Sequence, residues 1–410
     1  MPENPVPAIH TRRPGEKLRL AVVGTANRGS ANLGGVMGEE IVALCDVDSN
    51  FLGRGVAAVE AAKKIPEFKG GVYADYRRML DGTEGLDGVV VSTADHTHAC
   101  IAGAALRRGL AVYCEKPLAQ TVGEVRALQS LATEQGVATQ MGTQIHAGEN
   151  YRRVVELIRS GVIGEVREAH VWVGKSWSDG RLGWPQPVPE NLDWDLWQGP
   201  VPRREYRKGL HPANWRRFWD YGTGTLGDMA CHYVDLVHWA LELSTPTRTL
   251  AKGSELHPVG TPRQMHVTWE HPARGDRPPV TVHWYDGGLR PEGASWGSGQ
   301  MFVGSKGRLL SDYGKYKLLP EEDFADFQAP DPWIERSIGH YAEWLRAIRE
   351  GTPTTCNFGY SGDLTTTVLL GNVAFRAGGE IHWSEDEGQV AEEDARSLVE
   401  RETVEAGFEV

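Results

Sequence analysis

Residues 18–29 read LRLAVVGTANRG, and the fold turns on this stretch. An apolar run of Leu, Ala and Val without polar alternation reads as a strand buried on both faces. The turn after it, Gly24-Thr-Ala-Asn-Arg-Gly29, has the G-x-G-x-x-G spacing of a dinucleotide-binding turn, with Ala26 at the middle glycine position. The first glycine permits the tight turn and the last lets helix and strand pack closely. The N–H groups that open the following helix then face a pyrophosphate. Alanine in the middle leaves less room for the phosphates, and Ala26, Asn27 and Arg28 are counted with Gly24 and Gly29 as cofactor contacts. Asp46 ends the next apolar run, 22 residues beyond Gly24, where a carboxylate accepts hydrogen bonds from a ribose 2'-hydroxyl. A 2'-phosphate would meet like charge there, so NAD is expected over NADP. The competing reading makes Asp46 a cap for the helix starting near Ser49.

Outward from this turn, further strand-like runs at 41–48, 87–95, 109–117 and 136–142 alternate with helical stretches. These open near Gly29 and cover 49–64, 97–108 and 121–135. This rhythm predicts an α/β, doubly wound parallel sheet of the Rossmann type over 18–143.

After Gln144 the texture changes, and a second domain is expected over 144–383. A helix is read at 150–160, strands at 165–173, 264–270 and 280–285, and a hairpin in MFVGSKGRLLSD turning at Ser305-Lys-Gly307. Helices follow at 334–350 and 361–377. Alternation of period two implies a sheet with one face packed and one free, so this domain is read as α+β with a large open, mainly antiparallel sheet. Residues 172–219 hold seven of the fourteen tryptophans and six prolines. That lobe is either a cover packed on itself or a sugar-binding rim. Trp172 and Trp215 offer faces for a sugar to stack on, while Lys175, Arg181, His211 and Asn214 offer groups for its hydroxyls. Any single tryptophan is better read as packing.

The chain has 410 residues, 40% hydrophobic and 24% charged, the balance of a soluble globular protein of two domains. A net charge of -12 argues against nucleic acid or an anionic membrane as partner. From Ser384 onward, ten acids face only Arg396 and Arg401, so 384–410 is expected to be a solvated acidic tail. The five cysteines are dispersed without a C-x-x-C pair, which fits free thiols in a reducing compartment. No apolar run is long enough to cross a bilayer. The arm over 1–17 leads into a strand and not into a signal-like apolar core, so a cytoplasmic location is expected.

Residues 224–238 read GTLGDMACHYVDLVH. On a helix, Asp228, His232 and Asp235 share one face, which suits a metal site, a proton relay or a merely polar helix.

Three motifs together carry a resemblance. Glu115-Lys116-Pro117 closes the fourth strand, Ser92-Thr93-Ala94-Asp95 precedes His96 and His98, and Asp228 and His232 form D-x-x-x-H. In these motifs the chain, over roughly 18–383, resembles the Gfo/Idh/MocA family of glucose-fructose oxidoreductase, inositol dehydrogenase and rhizopine-catabolism proteins. Ala94 stands where that family usually has proline. The resemblance implies that Lys116, Asp228 and His232 are catalytic and meet over a carbohydrate substrate. It also groups Ser92, Thr93, Ala94, Asp95, His98, Glu115, Lys116 and Gln144 with the cofactor. The implied activity is NAD(H)-dependent oxidation of a secondary hydroxyl of a sugar, cyclitol or sugar derivative, with hydride passing to the nicotinamide. An imidazole with a pKa of about 6.5 suits the hydroxyl proton. Asp228 would orient the ring or the substrate, and Lys116 would stabilise the developing alkoxide. Asp235 and His238 are left to capping or packing, and no metal ligand is assigned. Two alternatives stay open: an NAD-dependent glycoside hydrolase that oxidises its sugar transiently, and a non-enzymatic sugar or nucleotide sensor. The resemblance also implies a homo-oligomer, dimer or tetramer, built through the open sheet face.

Overall fold

The computed structural model describes residues 15–410, so of the arm read over 1–17 only Gly15, Glu16 and Lys17 fall within it. Strands and helices alternate from the start: β1 (Arg19–Val23), α1 (Arg28–Val36), β2 (Glu40–Cys45), α2 (Ser49–Lys63), β3 (Gly71–Tyr73), α3 (Tyr76–Gly82), β4 (Gly88–Val91), α4 (Asp95–Leu106), β5 (Ala111–Cys114), α5 (Val122–Gln135) and β6 (Thr139–Met141). They form a parallel sheet in the order β3-β2-β1-β4-β5-β6. The strand order reverses between β1 and β4, and the crevice beyond their carboxyl ends is where such a sheet binds ligands. β3 and α3 escape the sequence reading because neither is long enough to show a period. Local chemistry sets the helix starts. Thr121 and Glu124 form a capping box for α5. Asp48 caps α2 by accepting the N–H groups of Asn50 and Phe51, so the cap is not Asp46.

The second domain contributes α6 (Glu149–Arg159), β7 (Val166–Trp172), α7 (Trp194–Gln198), α8 (Gly224–Leu241), β8 (Arg248–Gly253), β9 (Met265–His271), β10 (Val280–Tyr285), β11 (Gly299–Gly304), β12 (Gly307–Ser311), β13 (Tyr316–Leu319), α9 (His340–Glu350), α10 (Phe358–Arg376), β14 (Glu380–Ser384) and β15 (Gln389–Val390). Its strands form an open sheet ordered β13-β12-β11-β7-β10-β9-β8-β14-β15. Only β7 and β10 run parallel; every other pair is antiparallel. β9 and β10 alternate strictly between buried and half-buried residues. Their inward Val267, Trp269, Val282 and Trp284 share a core with Val234 and Leu236 of α8 and with Leu364 and Val368 of α10.

Two elements defy the linear division. α9 begins at His340 and not at Ile334, because the Glu156 carboxylate holds the N–H groups of Trp333 and Ile334 and Gly339, at φ 105°, precedes the first turn. Its Trp344, Ala347 and Ile348 pack with Leu20, Leu33 and Leu44, so α9 joins α1 and α2 over one face of the first sheet. The stretch from 384 is not a solvated tail. Val390, Ala395, Val399 and Phe408 are buried, the Arg401 guanidinium bonds Glu124 and Gln120 at 2.8 Å each, and Arg77 donates to the Gly407 carbonyl. Apolar residues spaced among the acids provide the burial that the charge count conceals.

Candidate active site

A cleft of about 540 Å3 runs from the β1–α1 turn to α8. At its nucleotide end Gly24 has φ 82°, and a Cβ there would lie 2.6 Å from the Ser92 carbonyl oxygen, so only glycine fits. A Cβ on Gly29 would lie 2.0 Å from the Gly24 carbonyl oxygen. Gly29 therefore serves helix–strand packing and does not line the cleft, whereas Gly24, Ala26, Asn27 and Arg28 do. Asn27 places no side-chain cap on α1, nor Ala94 on α4. Neither N-cap residue thus occupies the opening N–H groups of its helix, as a phosphate site requires.

Asp46 lines the same end. Its Oδ2 accepts the Thr25 N–H at 2.8 Å and the Thr25 hydroxyl at 3.1 Å, and its Oδ1 accepts the Asp48 N–H at 3.0 Å. Burial raises its pKa despite these bonds. The lobe clamps onto this edge. Leu192 bridges to Asp48, and His211 Nε2 lies 2.9 Å from Asp48 Oδ2 with its ring against Phe51. His211, read as a sugar contact, therefore stands beside the nucleotide end. Phe408 also lines the cleft, packed on Tyr76 and under the Arg77 guanidinium.

At the other end Lys116 donates from Nζ to the Asp228 carbonyl and to Asp228 Oδ1, both at 2.7 Å. Arg216 Nε bonds the same oxygen at 3.0 Å, and Lys175 Nζ lies 3.2 Å from Oδ2. Burial alone would raise the Asp228 pKa. Lys116, Arg216 and Lys175 outweigh it and hold the carboxyl well below the usual carboxylate range. Three cations on one carboxylate disfavour a divalent ion at this helix face. His232 also lines the cleft. Burial, with repulsion from Lys116, Arg28 and Lys175, pushes its pKa down to about 3, so the ring is neutral at neutral pH. Among the described residues no hydrogen bond joins Asp228 to His232. The carboxylate organises the cations and does not orient the imidazole. Asp228 Oδ2 is buried with only the Lys175 ammonium beside it, and His232 Nδ1 is buried without a hydrogen-bond partner among the described residues.

Behind this end, Glu115 accepts from Asn32 at 2.9 Å and Gln144 at 2.7 Å, with Arg28 3.6 Å away. Gln144 also bonds Arg28 and Tyr113, so it braces the cofactor end from outside the cleft. His98 sets its ring nitrogens against the Pro117 and Thr93 carbonyls and thereby ties the lysine turn to α4. Ser92, Thr93, Ala94, Asp95 and Trp215 line the cleft, and Asp95 accepts the Thr223 hydroxyl beneath it. Trp172, Arg181 and Asn214 are not brought in. Trp172 packs with Met301 and Leu310 in a separate cluster, Arg181 pairs with Asp179, and Asn214 is exposed. Trp194, Trp197 and Trp215 form the lobe's own core, although Trp177, Trp197 and Trp215 also face the cleft. Asp235 is fully buried between His146 and Tyr360, and His238 lies against Tyr360, so both serve packing. Sequence reasoning missed Arg216, Trp177, Tyr313 and Phe408. A cation beside the tryptophan cluster was the one signal available for Arg216; Phe408 had none.

Two family models match the chain: "Oxidoreductase family, NAD-binding Rossmann fold" over 18–143 and "Oxidoreductase family, C-terminal alpha/beta domain" over 157–408. A glycosyl hydrolase family 109 protein of Stenotrophomonas maltophilia is 30% identical over 159 residues, 37% of this chain and 35% of that protein. Inositol 2-dehydrogenase 1 of Saccharopolyspora erythraea is 40% identical over 111 residues, 26% of this chain and 31% of that one. The chain thus spans about a third of the length of these curated relatives. Among solved structures, the WlbA dehydrogenase of Bordetella pertussis, in complex with NADH and UDP-GlcNAcA, matches with a TM-score of 0.61 at 18% identity. That match covers 90% of this chain and 99% of the other, and shows a shared fold.

Proposed function

The chain belongs to the Gfo/Idh/MocA oxidoreductase family, and on that premise we propose that it is an NAD(H)-dependent oxidoreductase acting on a secondary hydroxyl of a sugar, cyclitol or sugar derivative. The observation that carries this reading is the Asp228 carboxylate held by Lys116, Arg216 and Lys175, with the neutral His232 ring lining the same end of a dinucleotide cleft. A buried ring nitrogen without a partner, as His232 Nδ1 is among the described residues, is costly. The Gly24 turn and Asp46 would hold NAD, which would supply the acceptor for the hydride leaving the substrate carbon. The neutral His232 ring accepts the hydroxyl proton. With a pKa of about 3 it is a weak base, so the growing alkoxide needs charge stabilisation. An ammonium has three donors, and Lys116 commits two to Asp228, which leaves one for the substrate oxygen. Arg216 and Lys175 share the neutralisation of Asp228 and keep the local field positive.

The relatives named glycosyl hydrolase family 109 proteins favour a second reading: the same residues oxidise a sugar transiently, an aglycone is eliminated, and the sugar is reduced again. Among the described residues no helix is long and apolar enough to cross a membrane. The five cysteines are unpaired and buried, which supports a reducing, cytoplasmic setting. The open sheet face supports a homo-oligomer. A panel of sugars, inositols and aryl glycosides tests the reading through NADH absorbance and aglycone release. Growing absorbance supports the dehydrogenase, release without it supports the hydrolase, and neither signal across the panel overturns both.

A further inference from the structure

On the outer face of the second sheet, opposite α8, alternation sets Glu168 and His170 of β7 beside His283 of β10. His283 is the direct register partner of His170 in the single parallel pair of that sheet. The two imidazoles stack at 5.0 Å. Glu168 Oε1 lies 2.9 Å from His170 Nε2 and 3.6 Å from His283 Nε2, and all three atoms lie within 4.8 Å of one another. Tetrahedral coordination at bond lengths near 2.1 Å separates ligand atoms by about 3.4 Å, so the observed spacings bracket what one ion requires.

The remaining ring nitrogens are also committed. His170 Nδ1 lies 3.2 Å from the Tyr285 hydroxyl, and His283 Nδ1 lies 3.1 Å from Thr268 Oγ1. Metal-binding histidines are oriented in this way, by a hydrogen bond at the nitrogen away from the ion. His266 stacks on His283 at 5.5 Å and on Tyr285 at 4.5 Å and closes the cluster from β9. The Glu168 side chain is 45% exposed in the single chain, which leaves a fourth coordination position that this chain does not fill.

We propose that Glu168, His170 and His283 bind one divalent transition-metal ion of the zinc class on the open face of the second sheet. The ion cross-links β7 and β10 by a His2Glu set with one open position, and the site is separate from the dinucleotide cleft. Imidazole and carboxylate donors at this spacing select zinc, with cobalt(II) as a spectroscopic surrogate. The assignment is independent of the substrate reading above.

The test uses the full chain dialysed against a chelator. It is titrated with Zn2+ by calorimetry and with Co2+ by visible absorption. The expected result is one ion per chain with tetrahedral-type cobalt bands. Affinity should fall by roughly a hundredfold in Glu168→Gln and in His283→Ala, and by roughly tenfold to a hundredfold in Thr268→Val, the usual worth of an orienting hydrogen bond. Glu168→Gln preserves shape at a half-exposed position and decides the matter even where His283→Ala folds poorly. Absence of stoichiometric binding, or binding undiminished in Glu168→Gln, overturns the proposal and leaves Glu168 as an ion-pair partner of the two histidines.

Discussion

At the scale of single residues, the electrostatics of His232 set an expectation that differs from an ordinary imidazole. The ring protonates only near pH 3, so between pH 5 and 8 it stays neutral. His232→Ala should lower kcat by about two to four orders of magnitude, the usual worth of acid-base catalysis, without removing any limb near the histidine range. Parallel kcat/KM profiles of wild type and variant check this; a limb near 6.5 lost with the side chain would refute it. Asp228 makes a second case. Its folded pKa is depressed, so its ionisation contributes stability above the unfolded value of about 3.9, and the contribution is lost as pH falls toward the folded value. The stability gap between wild type and Asp228→Asn should therefore narrow by about 1 kcal/mol from pH 7 to pH 3 in urea unfolding. Asp46→Ala removes the carboxylate that is proposed to accept from a ribose 2'-hydroxyl. The ratio of NADP to NAD dissociation constants should shrink by roughly tenfold or more, the worth of a charge-assisted hydrogen bond.

At the scale of elements, the glycines announce the turn into α1 and the helix read from 121 does open there, on the Thr121 and Glu124 capping box, whereas α9 starts at His340 and not at Ile334. The C-terminal segment was not legible, because its burial depends on Tyr76, Arg77 and Arg203, far away in sequence. Since Phe408 walls the nucleotide end of the cleft, Phe408→Ala should weaken NAD(H) binding by roughly fivefold to tenfold, the worth of an aromatic contact of about 1 kcal/mol. kcat at saturating cofactor should hardly change. An unchanged NAD dissociation constant would confine the segment to a packing role.

At the scale of the whole molecule, α9 and α10 tie the two sheets together. α9 packs on α1, while α10 packs on both α5 and α8. Calorimetry should accordingly show one unfolding transition and not two. NAD at a hundred times its dissociation constant should add about 2.7 kcal/mol by linkage and shift the whole transition. The sequence by itself determined the doubly wound first domain, the dinucleotide turn and the expectation of NAD, and its motifs drew attention to Lys116, Asp228 and His232 through a family resemblance. Each of these is written in short-range periodicity, in backbone demands that only glycine meets, or in motifs of fixed spacing. Tertiary structure alone decided which tryptophans face the cleft, that Trp172, Arg181 and Asn214 stay outside it, that Arg216 completes the charge cluster, and that the acidic C-terminus packs down. The physical reason is that burial and electrostatics depend on distance in space. A carboxylate ringed by three cations, or an imidazole driven to a pKa of about 3, exists only once segments far apart in the chain have met.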